Sequence, residues 1–359
     1  MKRERFVYKI IGLMSGTSCD GVDLAYCTFR RLPKNWNYEI VRAVTIPYDS
    51  GWLTKLQQAP TLTASGLLQL HATYGTYLGK LIKKFCKQFK LPAPDAVAAH
   101  GHTIFHQPQQ GFTFQLGNGH ALHAACGLPV VWDFRSLDVA LGGEGAPLVP
   151  LGDALLFSEY DVCLNLGGIA NLSYNEKGRR KAFDICFVNM VLNHLAMQAG
   201  KTYDKNGEMA SQGEVNRSLL RKLQSAYLKI HQRRPSLSRE WFENQILPLL
   251  DKVDIDVCDK LATCVESAAQ EIVNALPGKR RISVLCTGGG TWNTYLMYRL
   301  LEYGRDRVQF IIPDKEIVNY KEALVFAFLG ALRLQGEINV LHSVTGARHD
   351  SSSGLVIGT

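Results

Sequence analysis

"GLMSGTSCDGVD" (Gly12–Asp23) is the stretch on which the reading of this chain turns. An apolar run from Phe6 to Leu13 enters a loop of glycines, hydroxyls and an acid, and a second run, "VDLAYCTF", leaves it at once. Two strands joined by a tight turn have this pattern, and Asp20-Gly21 is a good turn pair. An anion cradle has it too. Several N–H groups and hydroxyls can converge on one ligand, and glycine permits the positive φ that a close backbone approach requires. Gly16, Thr17, Ser18, Cys19, Asp20, Gly21, Val22 and Asp23 are therefore candidates for holding phosphate. Asp20 or Asp23 is a candidate ligand for Mg²⁺ beside it. The Gly-Lys-Ser/Thr ending of a Walker A loop is absent. From the motif alone, the bare hairpin and the cradle both stand.

Further along, the same plan recurs. "DVCLNLGGIANLSYN" (Asp161–Asn175) is again strand, glycine turn, strand, with Gly167 and Gly168 at the turn. Two hairpins about half a chain apart suggest two lobes built alike. Around them, strands alternate with helices, which favours an α/β class. Apolar spacing predicts helices over 62–91, from near Gly119, and over 214–230 and 259–276. "PDAVAAHGHTIFHQP" reads as a buried strand ending in a polar loop. The glycine-rich run at 141–150 is the expected boundary. It divides the chain into lobes 1–140 and 141–359, with the C-terminal segment free to pack back on the first.

Four more motifs carry candidate chemistry. "TGGG" (Thr287–Gly290) joins a strand to a helix, so Gly288, Gly289 and Gly290 offer bare backbone to a flat ring, or form a plain turn. "AFDICFVN" places Asp184 just after an apolar strand and before a helix, as a general base or an N-cap. "HGHTIFH" gathers His100, His102 and His106, which are metal ligands or hydrogen-bonding loop residues. "VVWDFRSLD" puts Asp133 and Arg135 on one face if its strand continues, as a salt bridge or as ligand contacts. Glu322, on a late apolar helix, faces water or serves a cleft.

With 359 residues, 46% of them hydrophobic and 20% charged, the chain is an ordinary globular protein of two-domain length. No apolar run approaches the roughly 20 residues of a membrane span. The basic start before an apolar run reads as a first strand, with a secretory signal as the alternative. A net charge of +8 is scattered without a long basic block, so neither nucleic acid nor membrane is expected as a partner. Nine cysteines without a C-x-x-C pair read as reduced thiols of a cytoplasmic protein.

Taken in order, "GLMSGTSCDGVD", "HGHT", "FQLGN", "DFRSLDVALGGEGAPLVP", "LNLGGIANLS", "AFDICFVN", "YDKNGEMASQGEVN", "SREWF", "CTGGGTWN", "KEALVFAFLGA" and "VTGA" resemble the anhydro-N-acetylmuramic acid kinase family. The resemblance covers essentially the whole chain. It implies a two-lobed actin-like, ribonuclease H-like ATPase fold with ATP in an interlobe cleft. The implied reaction opens 1,6-anhydro-N-acetylmuramic acid, a product of cell-wall recycling, with water and phosphorylates O6. Asp184 then matches the catalytic base, Gly16–Asp23 the phosphate loop and Gly288–Gly290 the adenosine shelf. Asp133, Arg135 and Glu322 are candidates for the sugar side, and Mg²⁺ accompanies ATP. A homodimer is left open. Three segments depart from the family pattern. Asp-x-Gly-Pro-Gly-Asn is here Asp184-Ile185-Cys186-Phe187-Val188-Asn189, His102 replaces a common Gln, and Lys-Ser-x-Gly becomes Pro235-Ser236-Leu237-Ser238. The first of these keeps two alternatives in view: a catalytically weak sugar or nucleotide sensor, and a kinase for another sugar.

Overall fold

The computed structural model describes residues 7–16, 19–33, 35–233, 236–278 and 280–358. It divides into two compact units. Unit 1 comprises Met1–Phe157 with Tyr320–Thr359, and unit 2 comprises Ser158–Asn319. In unit 1 lie β1 (Val7–Ser15), β2 (Gly21–Arg31), β3 (Trp36–Pro47), β4 (Ala96–Gln107), β5 (Phe112–Leu116) and β6 (Val130–Trp132). In unit 2 lie β7 (Val162–Leu166), β8 (Ile169–Glu176), β9 (Arg179–Phe187), β10 (Ile282–Thr287) and β11 (Val308–Ile311), and β12 (Leu355–Ile357) belongs to unit 1 again.

Both sheets follow one topology. In unit 1 the order is β3-β2-β1-β4-β6, with β12 added beyond β6 and β5 paired to β4. In unit 2 it is β9-β8-β7-β10-β11. The first three strands of each form an antiparallel meander, and the next two are parallel to the first. This 3-2-1-4-5 order is the ribonuclease H-like arrangement expected from the sequence, and it occurs twice.

Burial follows position in the sheet. β1 lies between two neighbours, and its Ile10, Ile11 and Leu13 are wholly buried. One face packs on the helix Ala64–Gln88, capped by Thr63, whose Leu70, Tyr74, Leu78, Ile82 and Phe85 recur at helical spacing. Gly12 meets the other layer. A Cβ there would lie 1.8 Å from the carbonyl oxygen of Ala323, on the helix Lys315–Gln335. In unit 2 the sheet residues Leu164, Leu166, Ile185 and Val284 share a core with the helix Val257–Ala275.

Some expectations need correction. The boundary lies after Phe157, not at 140/141. The helix Val149–Leu156 is built into unit 1: Asp153 pairs with Lys321 at 3.2 Å, and Gly152 lies against Val325. The polar end of "HGHTIFHQ" is strand, because β5 pairs with it from His102 to Gln107. β3 was not anticipated. It is an edge strand whose residues are mostly half-buried or exposed, so it lacks an apolar signature. The first apolar run is a buried strand. All nine cysteines are free, and no helix among the described residues is long and apolar enough to cross a membrane.

Candidate functional site

In unit 1 the loop between β1 and β2 turns sharply. Cys19 has φ 59°, and its N–H donates to the Gly16 carbonyl at 3.2 Å. Asp20 is exposed, and Gly21 pairs with Pro47, where a Cβ would lie 2.4 Å from the Ile46 carbonyl oxygen. Thr17 and Ser18 lie outside the described residues. Val22 is a correction among the proposed contacts: its side chain is fully buried in the core, leaving only backbone for a ligand. Asp23, opposite Thr45, accepts that residue's hydroxyl at 2.6 Å. Burial raises the Asp23 carboxyl above its ordinary range, the Thr45 bond opposes this, and nearby Asp20 adds to the rise. Mg²⁺ is usually held by one or two carboxylates with several waters, so the pair Asp20 and Asp23 fits that ion.

The second cluster of unit 1 forms around Arg135. Its Nε–H donates to His100 Nε2 at 2.9 Å, and Nη1 donates to the Gly145 carbonyl at 2.7 Å. Nε2 is thereby an acceptor, so His100 is neutral, with its proton on Nδ1 donated to the Gly101 carbonyl at 2.9 Å. Burial lowers the Arg135 guanidinium to about 10 while Glu322 and Asp138 oppose it, so it remains cationic at neutral pH. Glu322 stays solvent-accessible although protein surrounds it densely enough to desolvate a carboxylate. Its carboxyl is raised by that desolvation and by Asp23, against Lys321 and Arg135. Glu322 thus senses the charges of both Asp23 and Arg135.

Asp133 does not share a face with Arg135. β6 stops at Trp132, Asp133 adopts φ 55°, and its carboxylate accepts the Ser136 N–H at 3.2 Å. It opens the short helix Ser136–Ala140 rather than forming a salt bridge with Arg135. The three histidines also separate. Gly101 has φ 80°, which sends its neighbours to different faces of the sheet. His100 packs on Phe326, His102 bonds Ser15 at 2.8 Å, and His106 bonds Thr113 at 3.0 Å. No set of three or more metal-ligating side chains converges among the described residues.

In unit 2, β7 and β10 are parallel, with Asn165 beside Thr287, so "NLGG" and "TGGG" emerge at the same end of the sheet. Ligands of α/β sheets bind outside the carboxyl ends of strands. Gly288 has φ 86°, and a Cβ there would lie 2.6 Å from Asn165 Oδ1. Gly290 is packed on Leu166, while Gly168 and Gly289 are exposed with nothing closer than 3.7 Å to a Cβ. Asn189 holds the first of these turns: its N–H donates to Gly167 O at 3.1 Å and its Nδ2 to Leu166 O at 3.3 Å, and its side chain lies beside the second, 3.4 Å from a Cβ placed at Gly290.

Asp184 lies inside β9, opposite Asn171, and not after the strand's end. It is no N-cap, since the helix Asn189–Gln198 begins after Val188. Its Oδ2 accepts the Leu237 N–H at 2.8 Å, and Oδ1 has no hydrogen bond among the described residues. Burial raises the carboxyl above its ordinary range, and the Leu237 bond opposes it. The altered segment after it continues the strand. Ile185, Cys186, Phe187 and Val188 are buried, and bulky residues suit a strand as Gly-Pro-Gly does not. Tyr227 Oη accepts the Phe187 N–H at 3.3 Å, and Gly168 O accepts the Val188 N–H at 2.9 Å. Pro235 lies outside the described residues. Sequence reasoning gave no role to Leu237, Ser15, Tyr48 or Tyr74, because their partners are 26 or more residues distant.

The family profile described as anhydro-N-acetylmuramic acid kinase matches residues 8–358. A protein of that name from Sulfurimonas denitrificans is 31% identical over 367 residues, covering 96% of this chain and 98% of its own. One from Pseudomonas fluorescens is 33% identical over 370 residues, covering 94% and 96%. Among solved structures, component A of (R)-2-hydroxyglutaryl-CoA dehydratase from Acidaminococcus fermentans aligns with TM-score 0.45 at 13% identity, covering 90% of this chain and 96% of that one. A profile matched from residue 8 to 358 and relatives more than 30% identical over nearly their whole length lead to one conclusion: the chain belongs to the anhydro-N-acetylmuramic acid kinase family.

Proposed function

We propose that this kinase uses ATP and water to convert 1,6-anhydro-N-acetylmuramic acid into N-acetylmuramic acid 6-phosphate. The observation that carries the mechanism is the Asp184 carboxylate, fixed at Oδ2 by the Leu237 amide and without a hydrogen bond at Oδ1 among the described residues. Oδ1 takes a proton from a water molecule whose oxygen attacks C1. The C1–O6 bond breaks, O6 attacks the γ-phosphate, and ADP leaves. A base works best with a pKa near the operating pH, and the raised carboxyl of Asp184 moves in that direction.

Phosphoryl transfer needs positioning and charge neutralisation more than covalent help. Gly16–Asp23 would meet the phosphates through backbone N–H groups and hydroxyls, with Asp20 or Asp23 holding Mg²⁺. That ion would supply neutralisation of phosphate charge. The exposed backbone of Gly168 and Gly289, beside Gly167, Gly288 and Gly290, would receive the nucleoside. Arg135 and Glu322 would orient the amino sugar through charge-assisted bonds. Asp133 would contribute by shaping the turn that precedes Arg135.

A sensor without turnover drew on the altered segment after Asp184. That segment is an ordered continuation of β9 and leaves Asp184 half-buried. The test is Asp184→Asn, which keeps shape and removes the base. Sugar-dependent ADP release should fall by about 10²–10⁴-fold while ATP affinity is retained. Near-normal turnover in that variant would overturn the assignment of the base.

A further inference from the structure

Four side chains from four elements meet at the base of the first loop. Ser15 ends β1, His102 lies in β4, Tyr48 follows β3, and Tyr74 belongs to the helix Ala64–Gln88. Ser15 Oγ is 2.6 Å from Tyr48 Oη and 2.8 Å from His102 Nδ1, and Tyr48 Oη bonds Tyr74 Oη. All four are buried, with relative exposures of 1%, 4%, 8% and 0% for Ser15, His102, Tyr48 and Tyr74. A polar chain in such surroundings is costly unless each member is satisfied, and it then holds one geometry.

The chain's location sets what that geometry controls. Ser15 is the residue from which the backbone enters the loop at Gly16. On the far side, Gly21 starts β2 and pairs with Pro47, the immediate neighbour of Tyr48. The Ser15–Tyr48 bond therefore closes the loop at its two feet, and His102 fixes Ser15 to β4 where the β1–β4 register shifts between Leu13 and Ser15. Cys19, within the loop, lies close enough to Tyr48 for their charges to interact.

We infer that Ser15, Tyr48 and His102 are positioning residues for ATP: they hold the two feet of the first loop, at Gly16 and at Gly21, in place for phosphate. This rests on the reading of that loop as the phosphate site. The hydroxyls of Tyr74, Tyr48 and Ser15 form one network ending on His102 Nδ1, in which each hydroxyl can donate or accept and a neutral imidazole can take either role. Burial lowers the His102 pKa to about 4, which keeps it neutral at physiological pH. A glutamine at position 102 can offer Ser15 an amide partner, and a leucine cannot.

The test measures ATP dissociation constants and both Michaelis constants for the wild type, Tyr48→Phe, His102→Leu and His102→Gln, with thermal melts of each. Tyr48→Phe and His102→Leu should weaken ATP binding about tenfold and leave the KM for the sugar unchanged. His102→Gln should restore affinity to within about twofold of wild type. Folded Tyr48→Phe and His102→Leu proteins that bind ATP as the wild type does would overturn the inference and reduce the network to a packing device. Tyr48→Phe keeps the ring, so it provides the answer should His102→Leu not fold. If the wild type itself binds no ATP, the loop's assigned occupant falls, and this inference with it.

Discussion

Asp184 is half-buried, restrained at Oδ2 and without a hydrogen bond at Oδ1 among the described residues. The restraint is a backbone N–H, so it survives every substitution of Leu237 except proline. In this geometry two opposing effects set the carboxyl's pKa: burial raises it and the Leu237 bond lowers it. Leu237→Pro should therefore raise it further. The acid limb of the kcat–pH profile should move to higher pH, because the base is lost as pH falls through its pKa. Leu237→Ala keeps the N–H and should leave that limb in place. Equal profiles for the two variants would show that the bond does not tune the base. At this scale the sequence singled out Asp184 by the apolar run around it. It carried no sign of Leu237, whose contribution is a main-chain atom 53 residues away.

Among the elements, β1 and the strand that carries Asp184 do the positioning. β1 tolerates no side chain at Gly12, since the helix Lys315–Gln335 brings the Ala323 carbonyl to 1.8 Å from a Cβ. Backbone does not yield as a flexible side chain does. Gly12→Ala should cost about 3 kcal/mol in a denaturant melt. A loss under about 0.5 kcal/mol, the range of neutral surface changes, would mean that the helix is free to shift. The β1–β2 hairpin was legible because its signals are local: two near-continuous apolar runs, glycine, and Asp20-Gly21 at the turn. β3 was not, because an edge strand carrying Glu39 and Arg42 buries too little to show an apolar pattern. The separation of His100 from His102 was equally hidden. Two residues apart in a strand share a face, and only the positive φ of Gly101 undoes that. β9 explains the departure from the family pattern. Ile185 to Phe187 are bulky because they are strand and core, and Val188, just past the strand, is core.

Across the whole molecule, one sheet plan occurs twice, and the chain returns to unit 1 within the helix Lys315–Gln335. That return has no local signature, since the helix is continuous through Tyr320, so the sequence showed two lobes without showing where the second ends. Global stability also carries a specific pH dependence. His102 is buried, with its pKa lowered from 6.5 to about 4. A lowered pKa means that the unfolded chain binds the proton more tightly. The contribution is fully present above 6.5 and is lost as pH falls toward 4, amounting to about 3 kcal/mol. His102→Gln should remove that loss, giving a flatter stability profile between pH 6.5 and 4 than the wild type. Parallel profiles would contradict the burial of a neutral imidazole there. The reaction itself is tested most directly by incubating the protein with ATP, Mg²⁺ and 1,6-anhydro-N-acetylmuramic acid in ¹⁸O-labelled water and analysing the products by mass spectrometry. The account predicts equal amounts of ADP and N-acetylmuramic acid 6-phosphate, with one ¹⁸O at C1 and none in the phosphate. ADP without phosphosugar, or label in the phosphate instead of at C1, would contradict it.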